Sequence, residues 1–159
     1  VEAVSDAHAA YRDHRFMLDV PDAPAVIAGD ASRLAPVFAT LLANAGTHSP
    51  PGTAVTVTVE PQAEYVVLSV RDAGPGIDPE LRDELFARFA RADRSRSRGT
   101  GGSGLGLSIV RAIVEAHHGT ISVRSEPGET EFAVRLPLRQ PDVPRPAAAP
   151  AEASEPQLE

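Results

Sequence analysis

The sequence predicts an α/β domain, on three observations. Segments with period-two alternation are interleaved with segments of three-and-four spacing: Val55, Val57 and Val59 alternate with Thr56 and Thr58 as in a strand, whereas Leu34, Val37, Phe38, Leu41, Leu42 and Ala45 trace one stripe of a helix. Proline and glycine punctuate the joins, as at Ser49-Pro50-Pro51-Gly52 and at Gly128. The length of 159 residues and an apolar content of 42% suffice for one buried core but fall short of two comfortable domains.

In chain order, residues 1–12 are polar and Ala-rich. They read as the end of a helix from a preceding region, and an opening Val without Met fits a fragment. Short apolar stretches at 15–20 and 25–28 read as two strands or a hairpin. Asp30 can cap the helix that carries the Leu34 stripe through Gly46, and Pro36 removes one hydrogen bond from it unless it lies near the first turn. Residues 65–71 form a strand after the Val55 strand. Residues 79–89 have helix-forming composition with Pro79 at the start. The Arg- and Gly-rich stretch 88–103 lacks any period and is expected to be a mobile loop. Leu107, Ile109, Val110, Ile113 and Val114 mark another helix, which Gly119 is placed to end. Ile121 and Val123, then Phe132, Val134 and Leu136, give two closing strands with Gly128 between them. From residue 139 the composition shifts to Pro, Ala and Glu, and the tail 139–159 is expected to be disordered.

Composition excludes several function classes. Without cysteine, neither a disulfide nor a thiolate metal site can form. No apolar run approaches the roughly 20 residues of a membrane span, and no signal peptide opens the chain, so the domain itself is expected to be soluble. A formal charge of -7 argues against nucleic acid as a partner. All fifteen basic residues are arginine, and Arg88, Arg91, Arg94, Arg96 and Arg98 crowd together opposed only by Asp93, as a phosphate-handling loop or a solvated one would.

Two motifs carry chemistry. Asp72-Ala73-Gly74-Pro75-Gly76 leaves a strand and enters a turn, placing a carboxylate where glycines admit a ligand to the backbone; an Asp-Gly turn is also ordinary loop chemistry. Gly101-Gly102-Ser103-Gly104-Leu105-Gly106-Leu107 runs into a helix, so free N–H groups and the positive helix end can face an anion, although glycine runs also serve as hinges. At about 100° per residue, Thr40, Asn44, Thr47 and His48 share a polar stripe beside the buried one. Asn44 there can be a cap or a ligand, and His48 a helix-end residue or a site residue.

Leu41-Leu42-Ala43-Asn44-Ala45, the turn 72–76, Phe86-Ala87-Arg88-Phe89 and Gly102-Ser103-Gly104-Leu105-Gly106-Leu107, in that order and spacing, resemble the four motifs of the catalytic, ATP-binding domain of bacterial sensor histidine kinases. The resemblance covers roughly 16–138 and includes Arg91-Ala92-Asp93 and His117-His118-Gly119. It implies a two-layer α/β sandwich in which a mixed, mostly antiparallel sheet of about five strands is covered on one face by about three helices. It divides the chain into 1–14, the end of a dimerisation region or linker; 15–138, the ATP-binding domain; and the tail 139–159. Asn44 would coordinate the magnesium bridging the ATP phosphates, a role for which one amide oxygen suffices when phosphates and water supply the rest. Asp72, as an acceptor, would take the adenine amino group, and Gly74 and Gly76 would clear the adenine edge. His48, Ile77, Phe89, Arg91, Arg96, Gly102, Ser103, Gly104, Leu105, Gly106 and Leu107 complete the implied ATP site, with Phe86 and Phe89 anchoring a lid or packing in the core.

Departures from the pattern touch phosphate affinity. Thr40 stands where the family usually has a second Asn, Thr47 where it has Lys or Arg, and the Glu129-Thr130 turn looks a residue short. With no lysine in the chain, magnesium, the backbone and arginines such as Arg91 and Arg96 are left to meet phosphate charge. The resemblance implies that Mg-ATP donates its γ-phosphate to a histidine on a separate dimerisation domain for relay to a response regulator, from a cytoplasmic domain of a membrane-held homodimer, the isolated fragment being a monomer. No histidine in the chain is followed by an acidic residue, so the acceptor and any catalytic residue lie elsewhere. A degenerate ATP-sensing module and an anti-sigma serine kinase of the same superfamily are the competing readings.

Overall fold

A computed structural model describes residues 2–22, 25–82, 85 and 105–138. The order is α1 (Glu2–Ala10), β1 (Arg15–Asp19), α2 (Ala31–His48), β2 (Ala54–Pro61), β3 (Tyr65–Asp72), α3 (Leu105–Ala116), β4 (Thr120–Glu126) and β5 (Glu129–Pro137). The five strands form one sheet in the order β1-β2-β3-β5-β4. β1 runs parallel to β2, and every other pair is antiparallel. The mixed, mostly antiparallel sheet expected from the motifs is therefore present.

Alternation decides which face is covered. Val55 and Val57 on β2, Val66 and Val70 on β3, and Phe132, Val134 and Leu136 on β5 are buried, and they join Leu34, Val37, Leu41, Leu42 and Ala45 of α2 and Leu107, Val110 and Val114 of α3 in one core. The opposite face carries polar side chains such as Thr58 and Ser69, bonded to each other at 2.6 Å, and Arg135, whose guanidinium lies 3.3 Å from the Tyr65 ring centroid.

Helix α2 starts as the sequence indicates. Asp30 Oδ1 accepts from the N–H of Ser32 (2.9 Å) and of Arg33 (3.4 Å), which fills two of the unpaired donors of the first turn. Pro36 lies inside the helix rather than in its first turn, and the Thr40 hydroxyl donates to its carbonyl at 2.8 Å. The helix continues past Gly46 to His48.

Three expectations require correction. Residues 25–28 form no strand, and β1 pairs with β2 in parallel rather than in a hairpin with 25–28, because the long α2 crossover intervenes. The left-handed residue ending α3 is His118 (φ 57), not Gly119. Gly119 is required for a different reason: a Cβ there would lie 2.5 Å from the Arg135 carbonyl oxygen and 2.8 Å from Leu136 Cδ2. Glu129 and Thr130 belong to β5 and not to a turn; the turn is Pro127-Gly128, with Gly128 at φ 93.

Residues 79–82 are helical, and Glu80 N–H caps back onto Asp78 at 2.9 Å. Most of the segment 79–89, the lid 88–103 with its arginines, and the tail 139–159 lie outside the described residues.

Candidate functional site

The site forms where three elements end together. Strand β3 delivers Asp72 at its last position, in register with Thr130 of β5, and α2 delivers Ser49 at its C-cap. All three side chains are buried, Asp72 with only 8% of its surface exposed. A carboxylate so placed needs donors. The Ser49 hydroxyl donates to Asp72 Oδ1 at 2.8 Å and the Gly74 N–H donates to the same oxygen at 3.0 Å. Oδ2 has no partner among the described residues and remains available to accept from a ligand.

The turn after Asp72 is pinned at its far end. Ile77 N–H donates to Ser125 Oγ at 2.7 Å, and Ser125 lies 3.0 Å from the Thr130 hydroxyl. Gly76 takes φ 85 and leaves no room for a side chain, since a Cβ would meet the Glu126 carbonyl oxygen at 2.5 Å. The half-buried Ile77 packs against the core. Thus Asp72, Gly74, Gly76 and Ile77 are held together in one turn.

The other half of the site lines α2 and the start of α3. Thr40 packs on Gly106, where an added Cβ would sit 3.2 Å from Thr40 Cγ2. Thr40 thereby joins the glycine motif through its methyl group while its hydroxyl serves the helix backbone. Asn44, one turn further along the same face, is half-buried and its amide makes no hydrogen bond among the described residues. Thr40 to Ser49 covers about 14 Å of helix axis, so one helix links the glycine motif to the Asp72 turn. His48 is exposed at the end of α2, and Leu107 is buried under α3. Leu105 opens α3, while Phe86, Phe89, Arg91, Arg96, Gly102, Ser103 and Gly104 lie outside the described residues.

Several contributors escape the motif reading. Ser49 was legible only as a loop residue, and Ser125 and Thr130 as strand and turn residues. Nothing in one sequence says that these three hydroxyls converge on one turn. The segment before β1 also reaches the site: the Tyr11 ring covers Gly46, where a Cβ would lie 2.6 Å from its Cγ, and the Tyr11 hydroxyl is 3.3 Å from that of Thr47. The buried His14 donates from Nε2 to the Ser49 carbonyl at 3.3 Å.

Comparison with known proteins agrees with this geometry. Residues 29–140 match the family of histidine kinase-, DNA gyrase B- and HSP90-like ATPases. Among curated proteins, the chain is 59% identical over 138 residues to the probable sensor histidine kinase TcrY and 46% identical over 143 residues to the sensor histidine kinase TrcS, both of Mycobacterium tuberculosis. In each case 87% of this chain is matched, and the chain spans only 29% and 28% of those relatives. Among solved structures, the mycobacterial sensor histidine kinase MprB matches with a TM-score of 0.72 at 34% identity, over 87% of this chain and 93% of that one. With its mixed sheet, its buried Asp72 turn and these matches, the chain belongs to the histidine kinase-like ATPases and, within them, to the catalytic domains of sensor histidine kinases.

Proposed function

We propose that this domain binds Mg-ATP between α2, the Asp72 turn and the glycine motif, and presents the γ-phosphate to a histidine on a separate helical dimerisation domain, for relay to a response regulator. The observation that carries the reading is the Asp72 carboxylate, buried at a strand end, with Oδ1 held by Ser49 and Gly74 and Oδ2 without a partner among the described residues. An acceptor in that position takes an adenine amine and repels a guanine carbonyl. Gly74 and Gly76 let the turn fold tightly around the carboxylate, where a Cβ on either would strike Asp72 Oδ1 or the Glu126 carbonyl, and the half-buried Ile77 would supply apolar surface beside the base.

Asn44 fits a magnesium ligand, because its amide is uncommitted among the described residues and lies on the helix face that leads to Gly106. Magnesium, when bound with the nucleotide, neutralises phosphate charge. His48, Leu105, Gly106 and Leu107 would border the phosphate side, and Phe89, Arg91, Arg96, Gly102, Ser103 and Gly104 would complete it. Residues 15–138 would be the working domain, 1–14 the junction to the dimerisation region and 139–159 a tail. No helix among the described residues is long and apolar enough to cross a membrane. The parent protein would be a membrane-held homodimer with this domain in the cytoplasm. Similarity to sensor histidine kinases favours this reading over a serine kinase or a sensing module.

The test is Asp72→Ala. Loss of a charge-assisted hydrogen bond removes about 1.5–3 kcal/mol, or roughly ten- to a hundredfold in affinity. Calorimetric titration with ATP and ADP reads it. Unchanged affinity in the variant, or a parent that prefers GTP, would refute the assignment.

A further inference from the structure

Ser49 occupies a junction that neither helix capping nor base recognition alone requires. Its N–H donates to the Ala45 carbonyl at 3.2 Å and closes α2, and its carbonyl accepts from His14. Its hydroxyl, in a residue only 7% exposed, gives its single proton to Asp72 Oδ1. With Gly74 N–H on the same oxygen, Oδ1 has two donors and little capacity for a third. The carboxylate can no longer rotate freely, and the two oxygens cease to be equivalent.

The fit around this pair is tight. A Cβ on Gly74 would lie 2.5 Å from Asp72 Oδ1 and 3.1 Å from Ser49 Oγ, so hydroxyl, carboxylate and turn backbone are packed as a set. The loop that carries Ser49 is in turn tied to the segment before β1, where Gly52 N–H donates to the Asp13 carbonyl at 2.6 Å and Arg15 N–H to that of Thr53 at 3.1 Å. Ser49 therefore holds its position from both sides.

We infer that Ser49 is the positioning residue that selects which Asp72 oxygen meets the nucleobase, and that it sets the preference for a base bearing an exocyclic amine. The inference rests on the reading of Asp72 as the adenine acceptor. Without the Ser49 proton, Oδ1 regains acceptor capacity, the carboxylate turns, and the geometry toward the amine is lost while the rest of the pocket stands.

The experiment uses the whole chain and two probes, ADP and purine riboside 5′-diphosphate, which carries hydrogen in place of the amine. Ser49→Ala should weaken ADP about three- to tenfold, part of the charge-assisted bond from Asp72 to the amine, and the amine-less analogue by less than about twofold. In an Asp72→Ala background the same substitution should add nothing further. Ser49→Cys, nearly isosteric but a weak donor, should reproduce the ADP-specific loss if the alanine variant folds poorly. Equal weakening of both nucleotides, or unchanged ADP affinity, would show that Ser49 acts only as a helix end. A parent that binds both probes equally would remove the adenine assignment itself, and an Asp72→Ala variant with normal ADP affinity would do the same; neither result resembles a failure of Ser49 alone.

Discussion

One carboxylate oxygen shared by a hydroxyl and an N–H, with the other unpartnered among the described residues, is a state that single residues create, and each can be removed on its own. Asn44 is the second such residue. Its replacement by Ala should leave the Asp72 turn intact, so ADP should still bind, but titrations with and without magnesium should converge. If magnesium tightens binding equally in parent and variant, another group holds the metal. A third is His117, whose ring is buried and has both nitrogens committed: Nδ1 donates to the Ile113 carbonyl at 2.7 Å and Nε2 accepts from Asp30 N–H at 3.1 Å. This residue ties the end of α3 to the start of α2. His117→Ala should lower stability by about 1–3 kcal/mol through the lost bonds, read by urea denaturation, with ADP affinity unchanged in the variant that remains folded. The position of His117 at a helix end is legible in local sequence, but the Asp30 backbone it reaches lies 87 positions away and leaves no local signal.

At the scale of elements, the stripes and alternations were legible because burial imposes a period on local sequence, and α2, β2, β3, α3, β4 and β5 all stand where the periods put them. What failed was tertiary in origin. Residues 25–28 are apolar enough for a strand, yet in the turn between β1 and α2 they pair with no strand, and β1 takes β2 as its parallel neighbour while its other side stays an edge of the sheet. Gly119 closes α3 by donating its N–H to the Val114 carbonyl at 2.9 Å, but it is the approach of β5 that forbids a side chain there. Gly119→Ala should therefore destabilise by about 1–3 kcal/mol through overpacking against backbone. The start of α2 makes a pH-dependent claim. The Ser32 hydroxyl, donating to Asp30 Oδ1 at 2.5 Å, together with the Ser32 and Arg33 N–H groups and the Arg33 charge, holds the Asp30 carboxyl below its ordinary value of 3.8. A carboxylate depressed on folding stabilises above its unfolded value, and that contribution fades as the pH falls through the folded one. The parent should thus exceed Asp30→Asn in stability at neutral pH, and the gap in urea midpoint should close in acid. A gap that persists in acid would mean that the charge contributes nothing.

At the scale of the whole molecule, the segment before β1 does not hang free of the domain. Ala7 is buried in the common core, and the rings of Tyr11, His14 and Phe16 lie within 6.2 to 6.4 Å of one another. That docking bears on whether the chain can phosphorylate itself. His14 is held against Ser49, its Nδ1 is buried without a partner among the described residues, and no phosphate could reach it without undocking the segment. His117 has both nitrogens engaged within the fold. The remaining three, His8, His48 and His118, are exposed, but each is followed by Ala, Ser or Gly, so none has an adjacent acid to serve as a base. The isolated chain is therefore expected to bind ATP and yet take up no label from γ-labelled nucleotide. Label should pass only to a histidine-bearing helical domain supplied in trans, and slowly, because the effective concentration conferred by tethering is lost. Stoichiometric, acid-labile phosphate on the isolated chain would show that one of the three exposed histidines accepts without a neighbouring acid, and would overturn the assignment of the acceptor to a separate domain.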